Sequence, residues 1–131
     1  MIAIDPNEVR EYIPLQDRGK PEDQRTVFLL KTLTAREDAK LMNSVEIDVF
    51  KKSSNLKWGD RQYNILRYGL VGWRNVKNKQ GGEVKFVTVT NGTGEKYADD
   101  ECIDRIPPGV RTELANAITE MTDLTEDVKK N

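Results

Sequence analysis

Hydrophobic positions along the chain fall into short clusters separated by charged and turn-forming stretches. The first, "TVFLLKTL" at Thr26 to Leu33, is a run of branched and aromatic residues and predicts a β-strand. In "TAREDAKLMNSVE", which follows, Ala35, Ala39, Met42 and Val45 recur at helical spacing and predict a helix from about 35 to 46. Thr34, with Glu37 three residues later, has the form of a capping box, in which each side chain satisfies a backbone donor of the first turn. Glu37 and Lys40 add a weak supporting pair. "EIDVFKK" reads as a short strand or as the tail of that helix. "NLKWGD" reads as a linker, with Asp60 as an N-cap for the next element.

In "RQYNILRYGLVGW", Tyr63, Leu66, Leu70 and Trp73 recur at steps of three, four and three, one apolar stripe of a helix. Gly69 and Gly72 each cost about 1 kcal/mol relative to Ala inside a helix, so they belong where another backbone packs close or where the helix stops. On this reading Arg74, Lys77 and Lys79 lie at the helix end, where the dipole favours cations. "NKQGG" is then a turn, "EVKFVTVT" alternates as a strand, and "TNGTGEK" supplies an Asn91-Gly92 hairpin turn. The clearest helix comes after "IPP". Val110, Leu114, Ala117, Ile118 and Met121 form its apolar face, and Pro107 and Pro108 mark its start. Thr125 stands as the cap of a last short turn. Residues 1–25, with Pro6, Pro14, Gly19 and Pro21 among many charges, read as a partly irregular arm. The expected fold is α+β: one small domain over 26–131 with a short antiparallel sheet and two main amphipathic helices.

Composition narrows what such a domain does. At 131 residues the chain suits one modest domain, and 37% hydrophobic with 33% charged residues implies a folded core under a very polar surface. No apolar run approaches the roughly 18 residues that would span a bilayer, and "MIAIDPNEVREY" lacks a signal-peptide layout, so no membrane role is expected. A single cysteine, Cys102, allows no internal disulfide and suits a reducing compartment. The chain has no histidine, which removes His-based triads, His metal ligands and the commonest general base. No enzyme activity, cofactor or metal is expected.

The net charge of -1 is unevenly spread. Residues 51–96 hold 10 basic and 3 acidic side chains, against 7 and 10 before them and 4 and 9 after. In that basic middle, Trp58, Tyr63, Tyr68, Trp73 and Phe86 alternate with Lys57, Arg61, Arg67, Arg74 and Lys85, a mixture that single-strand nucleic-acid binders use. Helix-end chemistry and a core with a solvated rim explain the same residues, so nucleic-acid binding is the lesser reading. "NGTGEK" departs from a phosphate loop because Gly94 precedes Glu95, whose carboxylate repels phosphate, and it reads as a hairpin turn. "DDECID" places Asp100 and Asp104 on one helical face, a conceivable divalent-ion pair. Acids at a helix start are favoured by the dipole alone, and that reading is preferred. Cys102, among acids, is a core residue rather than a nucleophile.

Three stretches resemble small morphogenesis proteins of tailed bacteriophages, particularly tail assembly chaperones and the proteins encoded beside them. "TVFLLKTLTARED" looks like their strand and capped-helix opening. "LRYGLVGWRNVKNKQGGEVKF" is similar to a block in which a Gly-containing apolar helix ends in Gly-Trp-x-Asn before a glycine turn and strand. "IPPGVRTELANAITEMTDLTEDVKKN" looks like their closing helix. The resemblance implies a non-enzymatic protein of the host cytoplasm that binds tape measure or tail tube protein before the tail polymerises. The alternative it leaves is a minor structural protein retained in the virion. Amphipathic helices in so polar a chain also suggest self-association. The residues expected at a protein contact are Tyr63, Leu66, Leu70 and Trp73, with Arg74 and Lys77 on their rim.

Overall fold

The computed structural model describes residues 8–41 and 57–130, with backbone alone at 57–60 and 124–130. Its organising strand is β2 (Val27–Leu30), which lies within the expected β-run and pairs antiparallel on both sides. β1 (Arg10–Tyr12) lies along one edge with Tyr12 opposite Phe28, and β3 (Leu70–Arg74) lies along the other with Trp73 opposite Phe28. The residues read as an irregular arm thus supply an edge strand. Two 3₁₀ turns, Leu15–Asp17 and Glu22–Gln24, then carry the chain into β2. The prolines that hid this strand stand outside it: Pro14 and Pro21 each precede a 3₁₀ turn, where a missing N–H is harmless.

Helix α1 begins at residue 35, and its described part runs to 41. The capping box is formed: Glu37 N–H donates to Thr34 Oγ1 at 3.2 Å and Thr34 N–H donates to Glu37 Oε1 at 2.9 Å. The expected continuation to residue 46 and the "EIDVFKK" segment lie outside the described residues.

Helix α2 (Lys57–Gly69) starts before Asp60, which therefore sits inside its first turn and is not the N-cap. It also ends earlier than the apolar spacing implied. Leu70, expected on a helical stripe, opens β3 instead. Two interactions decide this. The Lys31 N–H takes the Gly69 carbonyl at 2.9 Å, and Leu70–Arg74 gain a ladder against β2 that a helix could not reach. Arg74, Lys77 and Lys79 are consequently not at a helix end, and the dipole does not explain them. The two glycines do mark close approaches. A Cβ on Gly69 would lie 2.6 Å from Ile118 Cδ1, and one on Gly72 would lie 3.0 Å from Leu29 Cδ1.

Beyond β3 the chain turns at 78–82 and returns through an isolated bridge between Lys77 and Glu83. Gly81 takes φ 82° there, a backbone conformation that glycine adopts without steric penalty. The strand expected at 83–90 forms only as β4 (Thr88–Thr90). Over 84–87 the backbone finds irregular partners instead, the Val84 carbonyl accepting from Trp73 Nε1 and Val87 N–H donating to Cys102 Sγ. β4 pairs with β5 (Lys96–Ala98) through the expected hairpin, where Asn91 Oδ1 accepts from the backbone N–H groups of Thr93 and Glu95.

A short α3 (Asp100–Asp104) leads to α4 (Pro108–Lys130), which opens on Pro108 as the sequence implies. α4 runs on through Thr125 without the expected break, because neither Gly nor Pro occurs between Val110 and Lys130. Its Val110, Leu114, Ala115 and Ile118 close over Phe28, Leu30, Leu66, Leu70 and Trp73 as one core, with Cys102 and Ile103 of α3 included. The outcome is a small α+β fold with helices and a short antiparallel sheet, as expected. No helix among the described residues is long and apolar enough to cross a membrane.

Candidate functional site

An open groove of about 420 Å³ lies between the 3₁₀ lead-in, one end of the sheet and the turn joining α3 to α4. Its floor is the aromatic pair Phe28 and Trp73, set edge-to-face with ring centres 6.3 Å apart. Trp73 is 8% exposed and doubly anchored: its Nε1–H donates to the Val84 carbonyl at 2.8 Å, and its ring meets Phe86 edge-on at 5.1 Å. Little of either ring is open to solvent, with Phe28 at 4%, so the floor is shallow rather than a deep apolar pocket.

One wall owes its shape to Asn75, which closes the Gly-Trp-x-Asn stretch. Its φ of 61° is in the left-handed region, where Asn is among the few tolerated side chains. Three hydrogen bonds hold it there: the side-chain amide donates to the carbonyls of Asp23 and Arg25 at 3.2 and 3.1 Å, and the Asn75 carbonyl accepts from Thr26 Oγ1 at 2.9 Å. The strained residue therefore ties the lead-in to the end of β3.

Beside it lies Asp17, only 4% exposed and bonded to the same Thr26. Burial pushes its carboxyl up, but the Thr26 N–H at 2.8 Å and the Lys20 ammonium at 3.1 Å outweigh that and hold it below the ordinary aspartate value. Asp17 is thus a paired structural anion. Around the mouth stand the exposed side chains of Gln16, Lys20, Gln24, Lys77 and Arg105. Lys77 and Arg105 make no side-chain hydrogen bond or ion pair among the described residues.

Of the residues expected at a protein contact, only Trp73 and Lys77 reach this groove. Leu66 and Leu70 are 0% and 1% exposed and belong to the core, so they present no contact face. The helical spacing that grouped them was the spacing of buried positions on a helix and the strand after it. Tyr63 lies half-buried beside Arg67, and burial, followed by its contact with Asp100, pushes its hydroxyl up to about 12. Arg74 points away from Trp73 by the alternation of the strand and pairs with Glu11 at 2.8 Å. Arg67 lies over the rings of Tyr63 and Tyr97 and pairs with Asp100 at 3.0 Å. Of the cations that suggested a nucleic-acid face, Lys57, Arg61 and Arg67 share α2, Arg74 lies on β3 and Lys85 follows the turn, and Arg67 and Arg74 are matched by carboxylates.

The acids fare similarly. Asp100 is held down by the Arg67 guanidinium, Glu95 by the Lys40 ammonium, and Glu11 by Arg74. No group of three or more His, Cys, Asp or Glu among the described residues is arranged to hold a metal. Asp17, Asn75 and Arg105 were not found by sequence reasoning. Asn75 alone had a visible signal, as the last residue of the Gly-Trp-x-Asn block. No protein family, curated protein or solved structure matches this chain.

Proposed function

We propose that this chain is a non-enzymatic morphogenesis protein of a tailed bacteriophage, acting in the host cytoplasm by binding phage structural proteins during tail assembly. The three stretches that resemble such proteins are the origin of the reading. The observation that carries it is the groove, lined by Phe28 and Trp73 and bordered by the exposed amides and cations of Gln16, Gln24, Lys77 and Arg105. Interfaces between proteins are built in this way, with an aromatic centre and a polar rim. The shifted acids favour binding over chemistry, because each is stabilised as an anion and none is raised toward neutrality as a general acid requires.

The test has two arms. In the first, the chain is co-expressed with the tape measure and tail tube proteins of its source, and complexes are separated by size-exclusion chromatography. Co-elution with either is the expected result, and elution alone in every combination overturns the reading. In the second, mass spectrometry quantifies the chain in the lysate and in purified particles. Abundance in the lysate with absence from particles is expected of a chaperone. A stoichiometric amount in the particle assigns the chain to the virion instead.

A further inference from the structure

The groove's charge indicates what occupies it. Its lining contains three cations, Lys20, Lys77 and Arg105, and one carboxylate, Asp17. Lys20 and Asp17 neutralise each other at 3.1 Å. Lys77 and Arg105 remain, on separate segments that both line the groove, exposed and without a side-chain partner among the described residues. Elsewhere Arg67, Arg74, Lys31 and Arg36 each face a carboxylate, while the exposed Lys79, Lys85 and Lys96 face none among the described residues but lie outside the groove. Two unmatched cations beside an aromatic floor are complementary to an acidic partner that also carries an apolar side chain.

The dimensions limit its form. A volume of about 420 Å³ admits only a short stretch of a partner chain. An extended chain advances about 3.3 Å per residue, so a few residues lie along the groove. The amides of Gln16 and Gln24 stand at its mouth, able to donate to and accept from a peptide backbone.

Resting on the assembly reading above, we propose that the groove binds an extended acidic segment of a partner protein. Its carboxylates lie against Lys77 and Arg105, and an apolar side chain between them meets the floor at Phe28 and Trp73. Asp17 and Asn75 act here as positioning residues: both bond Thr26 and so fix the lead-in against the end of β3.

The probe is a fluorescein-labelled nine-residue peptide alternating Glu and Leu, titrated into the full chain and followed by anisotropy. A Gln-for-Glu version is the neutral control. Saturable binding is expected, weaker for the neutral peptide by about tenfold or more and weakened by added salt. The double variant Lys77→Glu with Arg105→Glu changes two exposed side chains and should keep the wild-type melting profile by circular dichroism. It should lose about tenfold or more in affinity for the acidic peptide and gain affinity for a Lys-for-Glu version. Lys79→Glu with Lys85→Glu, exposed side chains outside the groove, should leave binding unchanged.

Equal affinity for the acidic and neutral peptides overturns the proposal, as does no binding up to millimolar peptide. Equal losses in the two double variants do so as well, since the attraction would then be a diffuse property of the surface. Displacement of the peptide by equimolar free glutarate would show a small-anion pocket and also overturns it. The two readings fail separately. Co-elution with a tail protein without acidic-peptide binding removes only the occupant, whereas peptide binding without any tail-protein complex removes only the assembly role.

Discussion

Gly69 offers the sharpest test of the packing, because two effects of opposite sign meet there. Its φ is not positive, so alanine meets no backbone barrier, and in general that change stabilises by about 0.4–1 kcal/mol through helix propensity and a stiffer unfolded chain. Gly69 is the last residue of α2, which puts the gain at the low end of that range. Against it stands Ile118 of α4, fully buried, whose Cδ1, Cγ2 and Cγ1 would lie 2.6, 2.7 and 3.0 Å from the new methyl. Cδ1 could rotate away, but Cγ2 is fixed to a β-branched centre in a filled core, so α2 or α4 must shift. Overpacking of this kind costs about 1–3 kcal/mol. The clash wins, and Gly69→Ala is expected to destabilise by about 1–2 kcal/mol net. Urea unfolding followed at 222 nm reads this as a lower midpoint with an unchanged slope. Ile118→Ala alone should cost about 2–5 kcal/mol by opening a cavity. The double variant should recover at least about 1 kcal/mol relative to additivity, because the new methyl occupies part of that cavity. A Gly69→Ala protein as stable as the parent, or strict additivity in the double variant, would refute the close approach of α2 to α4.

Other parts of the fold make separate predictions. Thr122 Oγ1 accepts the Leu33 N–H at 3.0 Å where Thr122 is buried, so Thr122→Val should strand that donor and lower stability by about 1–3 kcal/mol in the same urea assay. Glu113 Oε1 accepts both the Tyr12 hydroxyl and the Leu15 N–H at 2.8 Å, so Glu113→Ala should speed hydrogen exchange at the Leu15 amide and trypsin cleavage after Arg18 well before global unfolding. Asp17 has a folded pKa below its ordinary value, so its contribution is present above about pH 4 and is lost as pH falls through the folded value. Thermal melts between pH 6 and pH 2 should therefore show a steeper acid decline in the parent than in Asp17→Asn. Tyr63 has the opposite sign: its folded pKa is raised to about 12, so stability holds below pH 10 and falls from there toward 12, and Tyr63→Phe should flatten that alkaline limb.

What could be read from the sequence was whatever local chemistry decides. The capping box at Thr34 and Glu37, the Asn91 hairpin and the proline start of α4 depend on residues within a few positions of one another, and each formed. The misreading of Leu70–Trp73 has a different cause. Steps of three and four fit a helix, but Leu70, Val71 and Trp73 are also good strand residues, and the decision belongs to β2, some forty positions away. The groove was harder still. Its walls come from the lead-in, the end of β3 and the α3–α4 turn, so neither periodicity nor a motif links Asp17 to Lys77 or Arg105. The charge tally exposed a basic middle, but only the fold shows which of those cations already face a carboxylate.

The central place of β2 also bears on how the protein is made. The ladder between β1 and β2 closes a short stretch of chain, whereas β3 must return across a long one and α4 arrives later again. Contacts between distant positions raise the loop-closure entropy and slow folding. On the ribosome the face of Phe28 and Leu30 emerges well before Trp73 and far ahead of Leu114 and Ile118, the residues that finally shield it. Synthesis thus passes through an interval in which an early hairpin presents apolar surface without its cover, open to a chaperone or to another nascent copy.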